Sequence, residues 1–330
     1  MGFPKPSNEI DLIEKYFAPL ASSSDSSLDL LDDAALIKVP KKHELVVTKD
    51  VLVEEIHFLA NDPPKSLAWK ALAVNLSDLA SMGAKPAYYT LGFAIPNHIK
   101  PDWIELFVKG LNEIQNKFEI LLIGGDTIVT NGPITISVTA FGQIPESMAM
   151  KRSGASAGET IYMSGCIGGG YLGLRHLQEN LFGLNNKFSD FCVERYQRPF
   201  PRVALGMALR DFATSATDIS DGLVADLANI CRTSSVSATI YADDVPLPKG
   251  VKQLIQNGCV NLNDLFSGGD DYELLFTAPA SYESRIKSLE SKLDVKISSI
   301  GKIGSGPANL TFFGKGGKIL DFDSMGYSHF

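Results

Sequence analysis

The sequence predicts a mixed α/β (α+β) protein of two domains, residues 1–145 and 146–330. Three observations carry that expectation. Strand-like and helix-like segments alternate along both halves of the chain. A stretch from Pro145 to Gly158, rich in Ser, Gly, Ala and Lys, interrupts the alternation. The chain has 330 residues, 45% of them hydrophobic, which suits two cores better than one.

Taken in order, Ile10, Ile13 and Phe17 recur at helical spacing and predict a short opening helix. Ser22 to Ser27 is polar and reads as a loop. Ala34 to Val39 and Leu45 to Thr48 read as strands joined by a turn through Pro40 and Lys41. A long helix is expected from Leu67 to Met82, with Gly83 ending it. Tyr89 to Ile95 is strand-like, Trp103 to Phe118 helical, and Ile120 to Ile123 a buried strand. Ile134 to Phe141 alternates as a strand solvated on one face. In the second half, Thr160 to Met163 is a strand, and Gly168-Gly169-Gly170 leads a helix to Leu177. Helices follow at Val203 to Phe212 and Leu223 to Cys231, with a short strand, Ala216 to Ile219, between them. Strands at Leu274 to Thr277, Ile297 to Ile300 and Leu310 to Phe313 complete a second sheet.

Charge and composition exclude several functions. The net charge is −8 and no basic run of five appears, so nucleic acid is not an expected partner. The four cysteines lie far apart without a C-x-x-C pair, which fits free thiols in the cytoplasm better than zinc or disulfides. No apolar run approaches the roughly 20 residues that span a bilayer, and the N-terminus lacks the apolar core of a signal peptide. Gly2 gives only a weak myristoylation signal, against Pro6 and the acids that follow.

The aspartates are not scattered. Asp32-Asp33 precedes a strand, Asp50 ends one, and Asp78 interrupts the apolar helix KALAVNLSDLASMG. Asp126 follows a strand in LLIGGDT, Asp218 and Asp221 flank a turn in ATDISDGL, and Asp270 and Asp271 lie in SGGDDYELLF. A carboxylate beside a buried strand is costly unless paired or metal-bound, and few Lys or Arg lie near these motifs. Mg²⁺ takes carboxylate oxygens and leaves positions for water and substrate phosphate. Convergent acids without bases therefore favour Mg²⁺ held between protein and polyphosphate. N-capping is the plainer reading of any single aspartate, and Asp221-Gly222-Leu223 fits it. Glycine pairs beside the acids allow close approach of backbone to phosphate, or an ordinary turn. No G-x-x-x-x-G-K-[ST], H-R-D or D-F-G set occurs, so ATP would be held without a P-loop or a protein-kinase design. His57 fits a phosphate contact or a satisfied strand-end histidine, and Arg152 a nucleotide phosphate contact or a linker charge.

LDDAALI, TKDVLVEEIHF, WKALAVNLSDLASMGAKP, LIGGDT, KRSGASAGE, ATDISDGL, SGGDDYELLFT and the terminal MGYSHF occur in that order from end to end. The ordered set resembles the thiamine-monophosphate kinase family, within the superfamily of aminoimidazole ribonucleotide synthetase. The resemblance implies a homodimer whose N-terminal domains pair their sheets into a barrel, each with a C-terminal α/β sandwich domain. ATP and substrate would lie in clefts between the halves. Residues 1–145 would bind ATP and Mg²⁺ and dimerise. The implied metal positions are Asp33, Thr48, Lys49, Asp50, Asp78, Asp126, Asp218 and Asp221, with Thr48 and Lys49 acting through backbone oxygens. The implied ATP contacts are Gly125, Asp126, Arg152 and Ser220, and the implied substrate contacts are His57, Asp270 and Tyr327. Asp126, Asp218 and Asp221 would carry the catalytic role.

Three departures from the family pattern stand out. Leu28-Asp29-Leu30-Leu31 replaces a Gly-x-Gly, Lys49 replaces a small residue, and Asp270 replaces a frequent Glu. The implied reaction is direct in-line transfer from Mg-ATP to thiamine monophosphate. The rivals are another ATP-dependent enzyme of the superfamily and a non-catalytic nucleotide sensor. Selenophosphate synthesis would want a reactive Cys near the N-terminus, and no Cys precedes Cys166.

Overall fold

The computed structural model describes residues 9–22, 24–181, 187–322 and 326–327. Gly2 and most of the terminal MGYSHF lie outside them. The chain divides into two compact units. One comprises Met1–Leu79 and Ala84–Ser147, the other Ala80–Gly83 and Met148–Phe330.

The first unit opens with α1 (Glu9–Leu12), a π-turn (Ile13–Phe17) and α2 (Ala18–Ala21), which bury Tyr16, Phe17 and Leu20. Its sheet holds β1 (His43–Val53), β2 (Lys85–Pro96), β3 (Leu121–Thr130) and β4 (Thr135–Pro145) in the order β1-β4-β2-β3. β4 alternates strictly: Ile136, Val138 and Ala140 are buried, and the residues between them are half-exposed. Period-two alternation of this kind gives a sheet one dry face. Two helices supply apolar surface. α3 (Pro64–Ser81) is buried almost all round, as its continuous Ala, Leu and Val content requires. α4 (Pro101–Phe118) buries Ile104, Phe107, Leu111 and Ile114, the i, i+3, i+7, i+10 stripe of an amphipathic helix. Phe107 stacks on Phe93 of β2 at 4.8 Å.

α3 ends as its sequence predicts. Gly83 adopts φ +74°, its N–H donates to Ala80 O and the Ala84 N–H donates to Leu79 O. These two bonds form a Schellman motif, which an L side chain at position 83 would strain.

The second unit carries a seven-stranded sheet in the order β11-β10-β7-β9-β5-β8-β6. The strands are β5 (Thr160–Ser164), β6 (Ser215–Asp218), β7 (Ser237–Tyr241), β8 (Leu274–Ala278), β9 (Ile297–Gly304), β10 (Asn309–Phe313) and β11 (Ile319–Leu320). The helices are α5 (Gly169–Glu179), α6 (Lys187–Gln197), α7 (Val203–Leu209), α8 (Leu223–Ser234), α9 (Val251–Gln256), α10 (Leu262–Ser267) and α11 (Glu283–Leu293). Ile161, Met163, Leu172, Leu227, Ile230, Leu275, Ile300 and Phe312 share one core.

Some sequence expectations are corrected. Residues 34–39 form no strand, although their apolar alternation suits one: Leu36 is largely exposed, and its N–H bonds back to Ser26 O rather than to a ladder. The polar 22–27 segment is not all loop, because Asp25–Leu30 forms 3₁₀ turns with Ser24 as cap. Asp50 and Asp126 do not sit at strand ends. β1 and β3 continue past them by pairing with β4 and β2.

Candidate active site

In the first unit, the pleat of β1 sorts the expected residues by face. Thr48 and Asp50 lie two apart and share a side chain direction, and Thr48 Oγ1 donates to Asp78 Oδ2 of α3 at 2.5 Å. Burial, and then the neighbouring Asp78 charge, push the Asp50 carboxyl up to about 7. Asp50 Oδ2 is buried with no hydrogen-bond partner among the described residues. Lys49 lies on the opposite face. Its ammonium donates to Ser137 Oγ at 2.6 Å, on the neighbouring strand β4. The lysine therefore does not neutralise the Asp50–Asp78 pair through its side chain.

A second group lines a cleft of about 280 Å³. Asp32 and Asp33 enter it from the chain before β1, and Gly124, Gly125 and Asp126 from β3. Thr90, Leu91 and Phe17 wall the rest. Gly125 pairs with Leu91, and a Cβ there would meet Leu91 O at 2.2 Å. Glycine is thus required at 125 for the strands to pair, and it leaves the cleft floor as bare backbone. His57 follows β1. Its Nδ1 accepts from the Val53 N–H at 3.0 Å, so the ring is neutral with its proton on Nε2.

In the second unit, Asp218 ends β6 and is buried. Arg152 Nε donates to Thr217 Oγ1 at 3.2 Å. Ser220 and Asp221 occupy the loop before α8. Asp270 adopts φ +67° and accepts from Tyr272 Oη at 2.9 Å. The Asp270 N–H donates to Ser220 O, and the Tyr327 N–H donates to Asp221 O. The structure therefore gathers Asp270 and Tyr327 against the loop that carries Ser220 and Asp221, although 107 positions separate the first from the last. Among the described residues, no three His, Cys, Asp or Glu side chains close around a point as a metal cage would. No helix among them is long and apolar enough to cross a membrane.

Comparison with known proteins places this arrangement. The N-terminal domain model described as AIR synthase related protein matches residues 31–144, and its C-terminal counterpart matches residues 157–311. The thiamine-monophosphate kinase of Salmonella typhimurium is 39% identical over 98% of this chain and 98% of its own. The chain belongs to the thiamine-monophosphate kinase family. The crystal structure of the Stenotrophomonas maltophilia thiamine-monophosphate kinase superposes with a TM-score of 0.83 at 37% identity, covering 94% of this chain and 97% of that one. The structure described as AaThiL complexed with AMPPCP and TMP gives a TM-score of 0.78 at 26% identity, covering 100% and 99%.

Besides the site residues, this member of the thiamine-monophosphate kinase family holds buried charged groups to which the motifs gave no role. Glu273 is fully buried, and Arg195 (2.5 Å), Arg202 (2.6 Å) and Ser164 (2.5 Å) donate to it. Burial works against its charge, yet the two guanidinium groups hold the carboxyl below its ordinary value. Asp271 accepts from the Gly168 and Gly170 N–H groups at the start of α5, and burial pushes it up to about 7. Asp226 caps the Ser220–Gly222 loop. Asp226 was findable, because it lies between Leu223, Val224, Leu227 and Ile230 on the apolar side of α8. Arg195 and Arg202 carried no comparable signal.

Proposed function

We propose that this chain transfers the γ-phosphoryl group of ATP to thiamine monophosphate, giving thiamine diphosphate and ADP. The observation that carries the reading is kinship over essentially the whole of both chains, at 39% identity, to a thiamine-monophosphate kinase. The solved relative complexed with AMPPCP and TMP supports the same pair of ligands.

The donor set fits Mg²⁺. Asp50 brings a buried, unpartnered carboxylate oxygen, Asp78 lies beside it, and all the donors are oxygen. In the first unit Asp33, Asp50, Asp78 and Asp126, with backbone oxygens of Thr48 and Lys49, would hold Mg²⁺, and in the second Asp218 and Asp221 would do so. Mg²⁺ when bound neutralises the repulsion between the two phosphorylated reactants. Phosphate oxygen and water would complete the coordination, as Mg²⁺ ordinarily requires.

The chain's own residues bind and orient. Gly125 offers bare backbone at the cleft floor, and Arg152 and Ser220 offer donors to nucleotide phosphate. His57, its Nδ1 held by the Val53 N–H, contacts thiamine monophosphate together with Asp270 and Tyr327. The nucleophile is a phosphate oxygen already ionised at neutral pH, so no general base is needed. Transfer is direct and in line, without a phosphoenzyme.

A homodimer with a shared barrel fits this reading. β1 and β3 are the edge strands of the first sheet, and they leave Val47, Val51, Ile128 and Val129 exposed. Long apolar edges of this kind favour strand pairing with a second copy.

A coupled ADP-release assay tests the proposal. Turnover with Mg-ATP and thiamine monophosphate is expected. Turnover only with another acceptor would move the chain to a sibling activity of the superfamily. Binding of ADP without any turnover would make it a sensor.

A further inference from the structure

Asp226 lies four residues into α8, and the loop it faces is the one that gathers the second unit's functional groups. α8 starts with Gly222 as its N-cap at φ +119°, and glycine brings no side chain to the free N–H groups there. Asp226 supplies the acceptor from within the helix. Its Oδ2 accepts from the Ser220 N–H (3.1 Å), the Asp221 N–H (3.1 Å) and the Gly222 N–H (3.2 Å). The side chain is wholly buried, and its Oδ1 has no hydrogen-bond partner among the described residues. Among the described residues, the hydrogen bonding of its side chain is therefore spent on three consecutive peptide groups.

The same loop turns its carbonyls outward to two other segments. Ser220 O accepts from the Asp270 N–H at 2.9 Å, and Asp221 O accepts from the Tyr327 N–H at 3.0 Å. One residue earlier, Ile219 donates to Glu273 O and accepts from the Tyr272 N–H, both at 2.8 Å. The packing is close: a Cβ on Gly269 would stand 2.3 Å from Ser220 O. The loop is thus a rigid strip, with Asp226 on its N–H side and the Asp270 and Tyr327 segments on its carbonyl side.

We propose that Asp226 is the positioning residue that holds the nucleotide-side pair, Ser220 and Asp221, and the substrate-side pair, Asp270 and Tyr327, in one fixed relation. The proposal rests on the kinase reading of those four residues. Asp226 itself touches no reactant in this account. It acts through the loop, so a change there acts on both substrates at once.

Asp226→Asn keeps the shape and one acceptor oxygen but removes the charge that strengthens the three bonds. Expected in the folded variant is a rise of about tenfold in KM for both ATP and thiamine monophosphate, with kcat down about tenfold. A purely architectural cap would lower the amount of active enzyme, and kcat with it, and leave both KM values alone. Amide hydrogen exchange gives a second readout: protection should fall together at residues 219–222 and 269–272 and persist in β5 and β8. Where Asp226→Asn does not fold, Asp226→Glu, which displaces the charge by one methylene, is read in the same way. KM values for both substrates within twofold of wild type would overturn the proposal. So would faster exchange at 219–222 with unchanged exchange at 269–272. Failure of the wild-type protein to use thiamine monophosphate would refute the kinase reading instead, and the exchange result would still decide whether Asp226 links the two segments.

Discussion

The Thr48 hydroxyl donates to the Asp78 carboxylate at 2.5 Å, joining β1 to α3 across thirty positions of sequence. This bond places the Asp78 carboxylate beside the half-buried Asp50 and fixes two acids on one side of the strand. An arrangement that costs stability in the free protein is what a cation site requires. Asp78→Asn should therefore lower kcat/KM by about a hundredfold or more, since an ill-placed ion forfeits several kcal/mol of transition-state stabilisation. The same variant should melt above wild type in Mg-free buffer at neutral pH. Thermal unfolding beside steady-state kinetics checks both, and a variant that is both active and less stable would contradict the account.

The raised carboxyls give a pH signature. Asp50, Asp226 and Asp271 are each pushed up to about 7, by burial first. An acid whose folded value lies above its unfolded one binds more protons when folded, so its contribution is greatest below the unfolded value and is lost as pH rises to the folded one. Metal-free protein should lose stability from about pH 4 to about pH 7, by roughly 5 °C or more in thermal midpoint. Glu273 works in the opposite sense, but its contribution is already complete above its ordinary value. Mg²⁺ should recover the Asp50 share of that loss at pH 7 and leave the Asp226 and Asp271 shares in place. Melting curves across this range, with Mg²⁺ and with chelator, would read it out; a midpoint rising steadily to pH 7 without metal would oppose it.

Lys49 departs from the small residue expected at its position, yet its ammonium is turned to Ser137 and Thr139 on the other face of the sheet. Lys49→Met should leave the Mg²⁺ concentration for half-maximal rate within about twofold of wild type, because exposed hydrogen bonds and charges contribute little. A Mg²⁺ titration of the rate measures it. A tenfold shift would mean that the ammonium acts on the cation site after all.

Glu273 neutralises two largely buried guanidinium groups at once. Glu273→Gln leaves both without their counter-charge, at a cost of about 3–5 kcal/mol. The transition of the second unit should fall by roughly 10 °C. Differential scanning calorimetry resolves it, and a loss below 2 °C would show that water already compensates these arginines.

Much of this was legible in the sequence because local rules and tertiary packing agreed. α4 and β4 carry unbroken apolar periodicity, α3 is apolar almost all round, and Gly83 supplies the stop that α3 needs. Residues 34–39 misled because alternation signals a strand only where another strand is free to pair with it, and here none does. β7 and α11 were missed, the former brief and the latter dominated by charged residues around buried Ile286 and Leu289. For the site, acids beside glycines were readable as a set. The hub that joins Ser220 to Asp270 and Asp221 to Tyr327 was not, because it consists of backbone hydrogen bonds that side chain chemistry does not announce.

The central claim is that carboxylates hold Mg²⁺ so that ATP and a phosphorylated acceptor react directly. Phosphorus NMR of the wild-type enzyme with ATP and thiamine monophosphate, across a Mg²⁺ titration, tests it most directly. The account predicts thiamine diphosphate and ADP in equal amounts, formed only when Mg²⁺ is present. Inorganic phosphate in place of thiamine diphosphate, or undiminished transfer in excess chelator, would contradict it.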